Sequence, residues 1–354
     1  MDIRVRARLF ARAIIISSAA LIGVPLALAD TALPAMPEAQ SIDQFIEDMV
    51  ERHGFASEPL RKLMSQAEIK ETIVRIMDAP YEAKPWYQYR ALFISEARIN
   101  GGLKFWREHE TVLAEVEKQY RVPAEIIVAI IGVETNYGSN VGSYRVLDAL
   151  ATLAFAYPKR STYFRSELEQ FLLMCRDENI DPSLPKGSYA GAMGLPQFMP
   201  SSFRHYAADF DGDHRRDIWS NYADAIASVA NYFSIHGWQQ GQQVVLPATV
   251  NGEDYQKAMG NGLNLSQSVK ELHDLGIEAP GDSVAADALA MLVALEEPEK
   301  TAYWLGLRNF YVITRYNRSA SYAMVVYQLS QEIRMRRFAH REVAARFVRP
   351  HGYE

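Results

Sequence analysis

One cysteine, Cys175, stands in 354 residues, so no disulfide can form within the chain. Its neighbours Phe171, Leu172, Leu173 and Met174 mark it as a small core residue and a poor nucleophile. A basic excess is missing as well: 37 Lys and Arg against 43 Asp and Glu leave a formal charge of -6, which argues against a nucleic-acid partner. His205, His214 and His236 lack the spacing of zinc ligands, and there is no Gly-x-Ser-x-Gly elbow for a serine nucleophile. The glycine-rich stretch 186–202 lacks the glycine spacing and following lysine of a phosphate loop. No internal repeat is found, and beyond the N-terminal segment no run is long and apolar enough to span a bilayer.

The chain opens with Arg4, Arg6, Arg8 and Arg12 against the lone Asp2, then an apolar run over 13–28 that ends in Ala27-Leu28-Ala29. This pattern predicts a secretory signal peptide cut after Ala29, with no cysteine behind the cut to carry a lipid anchor. A proline-bearing linker follows to residue 40. Helical spacing then dominates: 41–54, 59–66, 67–77, 86–120, 144–157, 163–178, 200–208, 223–236 and 319–341. Strands are expected at 243–250, 288–295 and 310–316, with a short helix near 266–275 between them. The fold class is therefore α+β, predominantly α. The basic run Arg334, Arg336 and Arg337, with Arg341, Arg346 and Arg349, reads as a solvated helix face and tail, with contact to anionic cell-wall polymer or lipid heads as the alternative.

One stretch concentrates chemistry. Residues 122–131 are almost unbroken aliphatics behind Pro123, the signature of a helix buried on all sides, and Gly138 is its expected exit. Glu134 falls near its C-terminus. Apolar surroundings and the negative end of the helix dipole both disfavour a carboxylate there, so its pKa should rise and its proton should survive to neutral pH. That is what protonating a leaving glycosidic oxygen requires. The plainer reading is a fraying helix end or a structural ion pair.

In the glycine- and alanine-rich stretch 186–202, Ser188 and Gln197 are candidate hydrogen-bond partners for a sugar amide or for Glu134; a tight loop packing two helices is the alternative. Asp209, Asp211 and Asp213 alternate along a loop between two helices, as the ligands of a hard divalent cation do. The pattern resembles an EF-hand calcium loop with two departures, His214 where glycine is usual and Ser220 where glutamate is usual, with Asp224 as the candidate closing carboxylate. The alternative is a solvated acidic turn countered by Arg215 and Arg216. Tyr316 and Asn317 are expected at a strand-to-helix junction facing a cleft, or as a simple helix cap.

Taken together, Gly132-Val133-Glu134-Thr135-x-Tyr137-Gly138, 147–153 (LDALATL), 190–202 (AGAMGLPQFMPSS) and Ile313-Thr314-Arg315-Tyr316-Asn317 resemble the membrane-bound lytic transglycosylase B family of bacterial cell-wall enzymes. The resemblance implies a lysozyme-like core (121–240, with the EF-hand-like loop at 209–224), flanked by a helical domain (41–120, completed by 325–347) and a small β domain (241–312), with 313–354 returning to the core. It implies Glu134 as sole catalytic acid and base. Tyr89, Arg160, Ser188, Gln197, Tyr232, Tyr316, Asn317 and Tyr322 would line the glycan groove, and Asp209, Asp211, Asp213 and Asp224 would hold calcium. It further implies non-hydrolytic cleavage of peptidoglycan, with glycan strands as the partner and other cell-wall enzymes as candidate partners; typical members carry a lipid anchor, and the missing cysteine here favours a soluble periplasmic form, with no organic cofactor expected and a monomer taken as the default. A hydrolytic muramidase and a non-catalytic peptidoglycan-binding protein are the competing readings on the same scaffold.

Overall fold

The computed structural model describes residues 41–78, 84–281 and 284–348; the expected signal peptide, linker and Arg349 lie outside them. Helices α1 (Ile42–His53), α2 (Ser57–Ser65), α3 (Glu71–Asp78), α4 (Trp86–Phe93), α5 (Glu96–Glu108) and α6 (Glu110–Tyr120) lead into α7 (Ala124–Thr135). Local chemistry sets their ends: Ser41 and Gln44 form a reciprocal capping box at the start of α1, and Gly54 ends it in the left-handed region at φ 67°. Helix α7 has no polar face, and all its residues from Ile126 to Val133 are buried. Only a helix with neighbours on every side can carry such a sequence. Those neighbours are α5, α6, α11 and α15.

After α7 come β1 (Tyr144–Arg145), α8 (Val146–Ala156), a 3-10 turn at Pro158–Arg160, α9 (Ser161–Asp177), β2 (Lys186–Gly187), α10 (Pro200–Tyr206) and α11 (Tyr222–Ile235). Strands β1 and β2 pair antiparallel, tying the segment before α8 to the glycine-rich stretch. The buried Asp148 of α8 takes the Arg145 guanidinium and the Glu68 amide, which fastens the segment ahead of α3 to this part of the core.

The chain then builds β3 (Val245–Val250), α12 (Tyr255–Met259), β4 (Gln267–Ser268), α13 (Val269–Asp274), β5 (Ile277–Glu278), β6 (Leu289–Glu296) and β7 (Thr301–Gly306). These strands form an antiparallel sheet in the order β4-β6-β7-β3-β5, with Leu305 opposite Leu292 on one side and Leu246 on the other. Leu272, Ile277, Leu292 and Leu305 share a small core of their own. Helices α14 (Arg308–Tyr316) and α15 (Ala320–Val348) return the chain to α7, and α15 lies against α4, α5, α7 and α14.

Several expectations need correction: the helix expected over 86–120 is three, α4, α5 and α6, broken where Ile94 and His109 leave helical backbone, and Tyr316 and Asn317 stand between two helices rather than between a strand and a helix. Residues 310–316, expected as a strand, belong to α14. Val312, Ile313 and Thr314 favour β structure locally, but the residues actually buried are Asn309, Phe310, Val312, Ile313 and Thr314, a helical spacing rather than an alternating one. Burial outweighs propensity here. Helix α7 stops at Thr135, not at Gly138, because Asn136 (φ 49°) and Tyr137 (φ 58°) already take left-handed backbone. The helix expected from residue 67 begins at Glu71, and β7 was not expected at all.

Candidate active site

Glu134 sits in the last turn of α7, half-buried among aromatic rings. Burial strips water from its carboxylate and pushes its pKa from 4.5 to about 8, against the opposing pull of the Tyr322 hydroxyl, which donates to Oε1 at 2.5 Å. Among the described residues, no second carboxylate contributes to that balance. An acid so placed holds its proton at neutral pH.

The turn after Glu134 is locked from three directions. Thr135 is fully buried, its Oγ1 lying 3.2 Å from the carbonyls of both Ile131 and Leu195 and accepting the Gly138 amide at 3.1 Å. Tyr137 folds back under the helix and donates its hydroxyl to the Arg98 carbonyl at 2.9 Å, while the Arg98 guanidinium donates to the Gly132 carbonyl. That fold leaves no room for side chains: a Cβ on Gly132 would stand 2.5 Å from the Tyr137 hydroxyl oxygen, and Gly101 and Gly102 press on the same ring. The carboxyl group of Glu134 is thereby aimed by backbone it does not itself touch.

Two further tyrosines complete the surroundings. Tyr316, at the end of α14, donates to the Pro196 carbonyl at 2.6 Å, and Tyr232 of α11 donates to the Arg315 carbonyl at 2.6 Å. Their rings meet edge to face at 4.8 Å. Burial, and after it the charge of Glu134, holds the hydroxyls of Tyr316 and Tyr322 well above their usual pKa, so both remain donors. Tyr89 of α4 is near enough to Tyr322 to act on its titration, and its ring lies 5.1 Å from Phe93. Asn317 is buried at the C-cap of α14, next to Tyr316.

The glycine-rich stretch is a tight double turn. Ser188 Oγ accepts the amides of Ala190 (3.3 Å) and Ala192 (3.0 Å), and Gln197, at φ 51°, donates its amide to the carbonyls of Gly194 (2.8 Å) and Val141 (3.2 Å). Both side chains thus hold the loop that presents Pro196 to Tyr316; the group bonded to Glu134 is Tyr322. Arg160 keeps different company, its guanidinium over the rings of Tyr163 (4.7 Å) and Phe164 (5.0 Å). Sequence reasoning did not single out Thr135 or Arg98. Thr135 was visible as a polar residue inside an apolar helix, whereas Arg98 is 34 positions from the carbonyl it caps and carries no local signal.

The acidic loop brings oxygens of Asp209, Asp211 and Asp213 within 4.8 Å of one another. His214 takes the left-handed backbone, φ 66°, that glycine ordinarily supplies at that position. Asp209 is fixed by the amides of Gly212 and His214. Asp224 is fully buried beside this group, close enough for Asp209 and Asp211 to act on its titration, and its two oxygens accept the amides of Phe210 (2.8 Å) and Asp217 (2.9 Å), so it also braces the loop at the start of α11. An all-oxygen set of this kind fits a hard cation.

The family described as a transglycosylase SLT domain matches residues 37–331. Over 311 residues the chain is 46% identical to the membrane-bound lytic murein transglycosylase B of Escherichia coli strain K12, a match that covers 85% of this chain and 84% of that protein. The X-ray structure of the catenated lytic transglycosylase SltB1 of Pseudomonas aeruginosa superposes with a TM-score of 0.81 at 50% identity, covering 84% of this chain and 97% of that one. The Escherichia coli lytic transglycosylase Slt35 in complex with calcium superposes with a TM-score of 0.76 at 45% identity, covering 86% and 95%.

Proposed function

The chain belongs to the transglycosylase SLT domain family, and on that premise we propose that it is a peptidoglycan lytic transglycosylase in which Glu134 serves in turn as acid and base. The observation that carries the assignment is a half-buried carboxyl at the end of an apolar helix, held by the Tyr322 hydroxyl at 2.5 Å and lifted to about 8 by burial, with no second carboxylate among the described residues acting on it. A paired-carboxylate glycosidase needs that second group as nucleophile or as base for water.

Protonated Glu134 gives its proton to the glycosidic oxygen between N-acetylmuramic acid and N-acetylglucosamine, and the C1–O bond breaks. The Tyr322 hydroxyl, already 2.5 Å from Oε1, stabilises the carboxylate that this transfer leaves behind. The carboxylate then takes the proton from the muramyl C6 hydroxyl, whose oxygen closes on C1 to give the 1,6-anhydro end. Atoms balance without water, and Glu134 ends protonated as it began. Tyr89, Tyr232, Tyr316 and Asn317 supply the aromatic and polar surface around the scissile bond.

Asp209, Asp211 and Asp213 would hold calcium, which would tie the loop before α11 and so steady the helix that carries Tyr232; the calcium complex of Slt35 supports this reading. Peptidoglycan lies outside the cytoplasmic membrane, so a periplasmic enzyme acting on glycan strands follows, and no helix among the described residues is long and apolar enough to cross a membrane. The test is mass spectrometry of fragments released from purified sacculi by the chain and by its Glu134→Gln variant. Anhydro-muropeptides from the first alone support the assignment; reducing muramic acid ends would make it a hydrolase, and no fragments from either would make it a binding protein.

A further inference from the structure

A cleft of about 1060 Å³ opens where the loop leaving α11, the first turn of α14 and the start of β6 meet. Its walls include Gln242, Gln243, Asn264, Leu289, Arg308 and Tyr311. Arg308 is the one charged residue among those that line it, in a chain whose formal charge is -6. The guanidinium is fixed rather than loose: it donates to the His236 carbonyl at 3.2 Å and the Gly237 carbonyl at 3.4 Å, and stands 5.6 Å from the centre of the Tyr311 ring. A second guanidinium, that of Arg315, lies 4.3 Å from the centre of the same ring.

The floor of the cleft is pinned as well. Asn309, fully buried, accepts the Gln239 amide at 2.8 Å and donates to the carbonyls of Gln239 (2.8 Å) and Gln242 (3.0 Å), so the loop holds its shape before anything binds. The cleft also shares a frame with the catalytic centre. From Arg308 to Tyr316 is about 12 Å along α14 at the usual helical rise. Arg308 bonds His236, whose ring stacks on Tyr232 at 4.1 Å, and Tyr232 meets Tyr316 at 4.8 Å.

A wall with a fixed cation, several side-chain amides, an apolar rim and no acid suits a short peptide that carries free carboxylates. A neutral sugar chain would leave the guanidinium without a counter-charge. We propose that this cleft binds the anionic peptide borne by the muramic acid residues of the strand whose glycan lies at Glu134. The inference rests on the peptidoglycan reading above, and it makes peptide substitution of the strand a determinant of specificity set by Arg308 and its surroundings.

The test has a binding arm and a rate arm. In the first, the full chain carrying Glu134→Gln is titrated calorimetrically with a synthetic stem tetrapeptide and with the same peptide fully amidated. The free-acid form is expected to bind at least about tenfold more tightly; equal binding of the two, or no binding of either, overturns the proposal. In the second, initial rates are measured on peptide-bearing glycan strands and on strands stripped by an amidase. Leu289 is 50% exposed, so Leu289→Glu places a carboxylate in the cleft without disturbing the core. It is expected to raise KM about tenfold on peptide-bearing strands with kcat unchanged, and to leave stripped strands alone. Arg308→Gln should act in the same direction, and Leu289→Glu guards against its having loosened the end of α11. An equal effect on both substrates refutes the peptide subsite. Failure of the unmutated chain to release anhydro ends from either substrate would refute the transglycosylase reading instead, while the titration judges the cleft independently.

Discussion

Replacing Glu134 with Gln should abolish cleavage and, at neutral and alkaline pH, make the protein more stable. The carboxyl has a folded-state pKa of about 8 against an ordinary 4.5. Below the ordinary value both folded and unfolded chains hold the proton, and Glu and Gln are equivalent. As pH rises above it, the unfolded chain ionises while the folded chain keeps its proton, so the wild-type fold loses about 1.4 kcal/mol per pH unit until the folded group itself ionises. At pH 7 the accumulated cost is about 3 kcal/mol, with a plateau near 5 kcal/mol above pH 8 as an upper bound. The amide is spared this cost and can still accept the Tyr322 hydroxyl. Chemical denaturation of both proteins at pH 4, 7 and 9 reads the difference: near zero at the first, and in favour of the variant by growing amounts at the other two. Equal stability at all three values, or a variant less stable at pH 9, would refute both the desolvated state of the carboxyl and the acid role built on it.

Further outcomes follow from the same geometry. The kcat/KM of the wild type should fall as pH rises through about 8, where Glu134 gives up its proton. Tyr322→Phe removes the hydrogen bond that opposes that rise and should move the alkaline limb upward by about one unit, at a cost in kcat; a limb that stays put would exclude Tyr322 as a partner of the acid. Gly132→Ala drives a methyl to within 2.5 Å of the Tyr137 hydroxyl oxygen, so kcat should drop at least about tenfold and the melting temperature should fall by several degrees, checked by sacculus turnover and calorimetry. Chelation of calcium, or Asp209→Asn together with Asp211→Asn, should lower the melting temperature, with calcium restoring it in the unmutated chain alone, and should leave the pH limb unmoved.

What was legible in the sequence was local. The unbroken aliphatics of α7 announced a helix buried on every face and put a carboxyl in its last turn, where acid chemistry competed with the plainer reading of a structural ion pair. The alternating aspartates marked a loop whose oxygens could converge, because period two on an extended loop sets them on one side, and the folded chain does bring three of them together. The motifs around Glu134 and Tyr316 were sufficient to suggest the family, since they record which residues must stand together without saying how. The strand expected at 310–316 went wrong because β-branched residues report a local preference that tertiary burial can overrule, and here the neighbours of α14 overruled it.

The rest belongs to distances no sequence pattern encodes. That Tyr322 is bonded to Glu134 across 188 positions, that Arg98 caps the Gly132 carbonyl, and that Gln197 reaches the Val141 carbonyl were decided only when remote segments met. The pKa of Glu134 is the clearest case. Sequence determined that a carboxyl would end an apolar helix and hence the direction of its shift; the loss of water that sets the size of that shift arises only when α7, α14, α15 and the loop at Pro196 close around it, because desolvation is a property of the packed surroundings and not of the residue.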